Sequence, residues 1–423
     1  MKIVHLSQEL APFSVASAAA IGVSELISAQ ASAGDSVVVL AAMPQGDFIP
    51  PPFLARRLSP LVVETLDGTC DVTVMEGLLP GCRARLFLLG LPEGSPRTAT
   101  FGLAAQTLLP TFTERPGLLH LHDDTGCDVD VLRLRLNGTT VVQSVYDAGL
   151  DSQSLAAALQ DADAVVVPCS GLAEATSDSA VAALLRGQIQ ARVAVLGVDT
   201  VRWNPASDMT LVERFSPESL SGKARCRAAL QRRAGLPPRP DTLILALWAR
   251  QPFEFDSGAA VELLSEIRRL DIQLVSIEGA GVEGLDTIHA ALREGGIGWV
   301  APEWSEVALR TVLGGSDAVL LPDAVEPLGQ RALISMRYGV VPVARMVQAH
   351  RDLLVEYDVA SRTGGAFFFQ TPDELLRALN RLEKAHRDLD GWSSMVRANA
   401  LVDSGWSRPL SHLQEIYRKA LAK

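Results

Sequence analysis

Short, nearly continuous apolar runs recur along the chain, separated by stretches of helix length with amphipathic spacing. In the first half, Lys2–Leu6, Ser36–Ala41, Ala84–Leu89, Leu118–Leu121, Thr140–Ser144, Ala164–Pro168 and Arg192–Leu196 read as strands. In the second half, Thr242–Leu247, Gln273–Glu278, Ile297–Val300, Ala318–Leu321, Val340–Ala344 and Gly365–Phe369 do so. Runs without polar alternation suit strands buried on both faces, as in parallel sheets covered by helices. Two successive series of this kind predict two doubly wound α/β domains. The expected boundaries are a first domain over 1–205, a linker over 206–240 and a second domain over 241–405. The linker is read from Pro217, Pro237, Pro238 and Pro240. A further helix is expected over Leu410–Ala422. The small, apolar stretch Val15–Ala20, with Leu26 and Ile27, fits a helix buried against the sheet better than a partner surface.

Composition narrows the class. A chain of 423 residues, 48% hydrophobic and 21% charged, has the makeup of an ordered protein and the length of two domains. Its net charge of −11 disfavours nucleic acid or an anionic membrane as main partner. Five scattered cysteines without CxxC spacing read as reduced thiols rather than a zinc site. Met1-Lys2-Ile3-Val4 leads directly into a strand pattern, and no apolar run reaches the roughly 20 residues that span a bilayer. The expectation is a soluble cytoplasmic protein.

The segment Gly197-Val198-Asp199-Thr200-Val201-Arg202-Trp203-Asn204-Pro205-Ala206-Ser207-Asp208 resembles the GIDTxxWNPxxD segment of bacterial glycogen and starch synthases. Lys223, Leu230-Gln231 and Gly235-Leu236-Pro237 resemble the K..LQ...GLP that precedes the second domain of those enzymes. Trp392, Met395, Ala398 and Asp403-Ser404-Gly405-Trp406 resemble their W..M…A…D.SW stretch. The resemblance covers nearly the whole chain. It implies a GT-B fold, with two Rossmann-like domains facing across a cleft and a terminal segment, 406–423, returning to the first domain. It also implies retaining transfer of glucose from a nucleotide-sugar donor, ADP-glucose, to an α-1,4-glucan acceptor, with no metal and no cofactor.

Such a transferase must hold a diphosphate leaving group with cations and backbone N–H groups, and must stabilise positive charge at the anomeric carbon. By resemblance, three residues are assigned to catalysis. Arg250 matches the arginine that binds the donor diphosphate, Glu326 in Glu326-Pro327-Leu328-Gly329 matches the glutamate that touches the donor sugar, and Asp123 matches the aspartate of the H.HDWH stretch. Donor contacts are implied for Gly279 and Gly281 in a nucleotide-facing turn, Trp304 in place of a tyrosine stacked on adenine, Gly329, Arg345, and Tyr146 in place of a histidine. Plainer readings stand beside these. Glu-Pro is a common helix start, Trp304 can be simple packing, Gly279 and Gly281 can be a tight turn, and Tyr146 can fill space. His120, His122, Asp123 and Asp124 could be read as a metal cluster, but a solvated loop is the expectation, because one short run seldom supplies a full site.

The departures from the family pattern carry weight too. Where the synthases open with EVAPFAKTGGLAD, this chain has Val15 for the lysine and Ser17 and Ala18 for the two glycines. Phe255 stands where a second lysine follows the arginine, and Val347-Gln348-Ala349-His350 replaces a TGGL loop. Each lost charge-assisted contact in a dry site costs about 2–4 kcal/mol of transition-state stabilisation. Lys223 and Arg351 are candidates to restore that charge. The expectation is weak or altered turnover. The alternative is a catalytically inactive homologue that binds nucleotide, glucan or a true synthase, a protein partner, as regulator or scaffold.

Overall fold

The computed structural model describes residues 1–13, 18–44, 54–56, 59–65, 68–150, 152–172, 179–187, 189–249, 257–277, 286–295, 298–301, 305–324 and 326–423. The chain forms two compact units: Met1–Gly197 together with Gly405–Lys423, and Val198–Ser404.

The strands of the first unit are β1 (Lys2–Ser7), β2 (Ser36–Ala42), β3 (Ala55–Arg56), β4 (Leu61–Thr65), β5 (Gly68–Leu78), β6 (Arg85–Gly90), β7 (Leu118–His122), β8 (Thr140–Ser144), β9 (Ala164–Val167) and β10 (Arg192–Val193). They lie in the order β10-β9-β8-β7-β1-β2-β6-β5-β3, parallel from β10 to β6. An antiparallel edge of β5, β3 and β4 completes the sheet. Strands β1 and β7 are central and buried almost throughout, as their apolar runs demand. One sheet face packs on Phe101, Ala104, Ala105 and Leu108 of the helix Arg97–Leu108. The other packs on Leu26 of the helix Ala18–Ser32 and on Leu410, Leu413, Ile416, Tyr417 and Ala420 of the helix Ser407–Leu421. The spacing of those last five residues is the apolar stripe of a surface helix.

The second unit carries β11 (Ile244–Leu247), β12 (Gln273–Ile277), β13 (Gly298–Ala301), β14 (Ala318–Leu321), β15 (Val341–Arg345) and β16 (Phe367–Phe369). Their order is β13-β12-β11-β14-β15-β16, all parallel. Numbered within the unit this is 3-2-1-4-5-6, the doubly wound order in which ligands bind beyond the carboxyl ends of strands 1 and 4. Here those ends are Leu247 and Leu321.

The segment read as a linker is not one. Residues 221–234 form a helix, Ser221–Ala234, whose Cys226 and Leu230 are buried with Trp203, Leu211, Phe215, Leu309 and Leu313 in the core of the second unit. The prolines sit in the turns on either side. Lys223 donates to the carbonyls of Leu313 (3.2 Å), Gly314 (3.4 Å) and Tyr338 (2.8 Å), so its ammonium is committed to the fold and does not replace a phosphate cation. Burial lowers its pKa to about 8.

The Trp-Asn-Pro segment also builds this core. Asp208 accepts from Tyr338 (2.5 Å) and Arg310 (3.1 Å), and the Arg310 guanidinium lies 4.6 Å from the centre of the Trp203 ring. Arg337 donates to the carbonyls of Trp203 (2.7 Å) and Thr200 (3.2 Å). The Arg337-Tyr338 pair thus clamps a segment more than a hundred residues earlier in the chain. At the edge of this unit, the Val198 N–H donates to the Ser404 carbonyl at 2.8 Å. Within the first unit, a Cβ on Gly197 would lie 2.8 Å from the Gly405 oxygen, so only glycine fits there.

Candidate functional site

Each unit holds a buried polar cluster beneath the carboxyl ends of its central strands. In the first unit, the alternation of β7 points His120 and His122 to one face, and the register pairs His5 of β1 with His120. All three imidazoles are at most 2% exposed. His5 Nδ1 lies 2.8 Å from His122 Nε2, and His5 Nε2 lies 2.7 Å from Gln30 Oε1. His122 Nδ1 meets the Tyr146 hydroxyl at 3.0 Å. His120 Nδ1 meets the Tyr417 hydroxyl at 2.6 Å, and its Nε2 meets Ser144 Oγ at 2.7 Å. Gln30 Nε2 donates to Tyr417 at 3.0 Å and closes the chain of contacts. Burial lowers the His5 pKa to about 4, against the opposing pull of Gln30 and Asp35. Burial also holds His120 and His122 well below the ordinary range, with the charge of His5 adding to the effect on both and that of His120 on His122. The expectation of a solvated loop therefore fails for the two histidines: they belong to a central strand.

Asp123 follows directly. Its φ of +52° is left-handed, a conformation that aspartate tolerates better than most residues but that still carries strain. Its carboxylate accepts the N–H groups of Tyr146 (2.7 Å) and Asp147 (3.3 Å). Burial raises its pKa to about 7, against those two bonds and with help from the charges of Asp147 and Glu9. Asp124 turns away, its carboxylate bonded to Ser152 (2.5 Å), Ser154 (2.8 Å) and the Gly126 N–H (2.9 Å). Tyr146 is buried, with its ring stacked near His122 at 5.9 Å.

In the second unit the cluster is ionic. Glu326 Oε1 accepts the N–H groups of Gly329 (3.0 Å) and Leu328 (3.3 Å), and its Oε2 accepts from Arg331 at 2.5 Å. Arg331 also pairs with Asp323 at 2.6 Å and donates to the Trp248 carbonyl at 2.9 Å, which ties the end of β14 to the end of β11. Burial alone would raise the Glu326 pKa. The charges of Arg331 and His350, with the Arg331 and Gly329 bonds, overcome it and hold the group below its ordinary value. Gly329, at φ +64°, caps the helix Gln330–Arg337 in a left-handed conformation that puts its N–H on Glu326. Arg345 ends β15, and its carbonyl accepts from His350 Nδ1 at 2.7 Å. His350 Nε2 and Trp248 Nε1 are buried with no hydrogen-bond partner among the described residues. Arg351 is exposed, with a contact to the Met346 sulfur at 3.2 Å.

The structure thus brings Glu326 and Gly329 together in one unit, and Asp123 and Tyr146 in the other. Arg250, Gly279, Gly281 and Trp304 lie outside the described residues, as do Val15, Ser17 and Phe255. Reading the sequence passed over His5, Gln30, Tyr417, Asp323, Arg331 and His350. The one signal available was Arg331, five residues after Glu326 on the same helix start. His5 and Tyr417 join the cluster only through sheet register and helix docking.

No family model matches the chain. Among curated proteins it is 34% identical over 243 residues to a glycogen synthase of an Anaeromyxobacter species, covering 57% of this chain and 51% of that protein. It is 29% identical over 229 residues to glycogen synthase 2 of Geobacter sulfurreducens, covering 53% and 47%. It is also 29% identical over 236 residues to soluble starch synthase 1 of rice, covering 53% and 36%. The match spans about half the length of the first of these relatives. Among solved structures, the catalytic domain of starch synthase IV from Arabidopsis thaliana, bound to ADP and acarbose, superposes with a TM-score of 0.84 at 19% identity, covering 100% of this chain and 99% of that one. Sucrose-phosphate synthase from Thermosynechococcus elongatus does so with a TM-score of 0.65 at 16% identity, each chain covered to 99%. The fold is therefore GT-B. Among the described residues, no helix is long and apolar enough to cross a membrane.

Proposed function

We propose, from the premise that the chain belongs to the glycogen/starch synthase family of GT-B glycosyltransferases, that it transfers glucose from ADP-glucose to an α-1,4-glucan with retention, at reduced turnover. The observation that carries this reading is the 3-2-1-4-5-6 sheet of the second unit, with Glu326, Arg331 and Asp323 buried just beyond its switch-point strands. Arg250, next in sequence after Ala249 at the end of β11, is assigned to the donor diphosphate. Gly279, Gly281, Trp304, Gly329 and Arg345 are assigned to the rest of the donor. Asp123, with a pKa of about 7, can hold or release a proton near neutral pH. The work proceeds in the cytoplasm.

One observation favours the second reading, an inactive homologue acting as regulator or scaffold. Both Glu326 oxygens are already bonded, one to the N–H groups of its own loop and one to Arg331 of the following helix, and the Tyr146 hydroxyl is turned to His122. Neither group is presented to a sugar. The deciding experiment is ADP release from ADP-glucose, with and without glycogen, by the full chain and by Arg250→Ala. Slow glycogen-dependent release abolished in the variant supports transfer. No release, with ADP or glucan still bound in calorimetry, supports the second reading and sinks the first.

A further inference from the structure

Three imidazoles from two strands meet in the first unit, where the sequence offered only one short histidine run. We propose that His5, His120 and His122 form a binding site for one divalent transition-metal ion of the zinc type, buried beneath the terminal helix. The metal-binding nitrogens available on the three rings all lie within 4.8 Å of one another. His5 Nδ1 and His122 Nε2 face each other at 2.8 Å. Zinc–nitrogen bonds of about 2.0–2.1 Å at a tetrahedral angle need the two nitrogens about 3.3 Å apart. The His5–His122 pair therefore opens by about half an ångström, and the His120 nitrogen, within 4.8 Å of the others, closes by at most about 1.5 Å, both within the reach of side-chain torsions.

The surroundings are those of a metal site and go beyond a chance meeting of rings. Ligating histidines are normally oriented by a hydrogen bond at the far nitrogen. Here every far nitrogen has one: His5 Nε2 to Gln30, His122 Nδ1 to Tyr146, and His120 Nδ1 to Tyr417. Binding at His5 Nδ1, His122 Nε2 and His120 Nε2 replaces the His5–His122 and His120–Ser144 contacts. Gln30 Oε1 can only accept, so His5 carries its N–H at Nε2 and His122 Nε2 donates to His5 Nδ1; binding the metal at His122 Nε2 moves that proton to His122 Nδ1, facing the Tyr146 hydroxyl, and no net proton is lost. A cavity of about 10 Å³, the size of one water, adjoins His120, Ser144, Tyr146 and Trp406. The buried Trp406 Nε1 has no hydrogen-bond partner among the described residues. A water there accepts that N–H beside His120, on the side where its Nε2 faces Ser144. Imidazole ligands select zinc, cobalt, nickel or copper over magnesium or calcium.

The test uses the full chain, stripped with a chelator and titrated with Zn²⁺ by calorimetry, then with Co²⁺ followed by visible absorption. One equivalent is expected, with the intense bands of tetrahedral Co²⁺ and a rise in thermal midpoint that Mg²⁺ does not give. His5→Gln and His122→Gln should each lose at least 100-fold in affinity, and Tyr417→Phe, with all three ligands intact, about 10- to 100-fold. Absence of Zn²⁺ binding to the wild-type chain overturns the site, whether or not the variants fold. One equivalent retained by both glutamine variants places the metal elsewhere and overturns it equally.

Discussion

The two units meet the same problem in opposite ways. Each buries polar side chains under the carboxyl ends of a parallel sheet. The first unit does it with neutral groups, His5, His120 and His122, whose partners are an amide and three hydroxyls. The second does it with full charges, one arginine held between Glu326 and Asp323. A neutral network tolerates loss of a member at the cost of one or two unpaired groups, whereas a buried ion triad that loses its centre leaves two uncompensated charges. The neutral network can take up protons or a metal. The charged one is locked across the ordinary pH range.

The sharpest test of that contrast is Arg331→Met, which should cost about 3–5 kcal/mol in urea unfolding of the second unit. A loss under about 1 kcal/mol would break the comparison. Acid should act on the other cluster. The His5 pKa falls from 6.5 in the unfolded chain to about 4 in the fold, so the unfolded chain takes up the proton first. Its contribution is complete above pH 6.5 and is lost as the pH falls toward 4, amounting to about 3 kcal/mol. Asp123, raised from 3.8 to about 7, acts with the opposite sign over an overlapping range. The reading is therefore the difference in unfolding midpoint between wild type and His5→Gln, in chelator, which should narrow from pH 7 to pH 4.

Tyr417→Phe removes the hydroxyl shared by Gln30 and His120 and should cost about 1–3 kcal/mol, detected as a lower thermal midpoint. Smallest is Gly329→Ala, about 1–2 kcal/mol for a side chain at φ +64° once the Leu353 methyl that the new Cβ would meet has turned aside, measured by the same unfolding experiment.

The parts legible in the sequence are those set by local pattern. The strands Thr140–Ser144 and Ala318–Leu321 fall where their apolar runs placed them. The hairpin of β4 and β5 was passed over because its residues alternate between buried and exposed and its order comes from pairing such as Val63 with Cys70. Arg192–Leu196 shortens to Arg192–Val193, an edge strand with one neighbour. The proline-rich segment misled because its prolines flank the helix Ser221–Ala234 rather than interrupt it. Motif register singled out Asp123, Tyr146, Glu326 and Gly329, which lie in the two buried clusters. It was blind to His5 because that residue meets His120 through β1–β7 pairing across more than a hundred residues.

The hydrogen bond from Val198 to Ser404 has a practical side. It makes the second unit a cassette whose two open ends already touch, spliced into a host between Gly197 and Gly405. A gene fragment for Val198–Ser404 can be cut out whole, closed into a ring, or exchanged for that of a relative, and the host is left with a gap that a few residues can bridge.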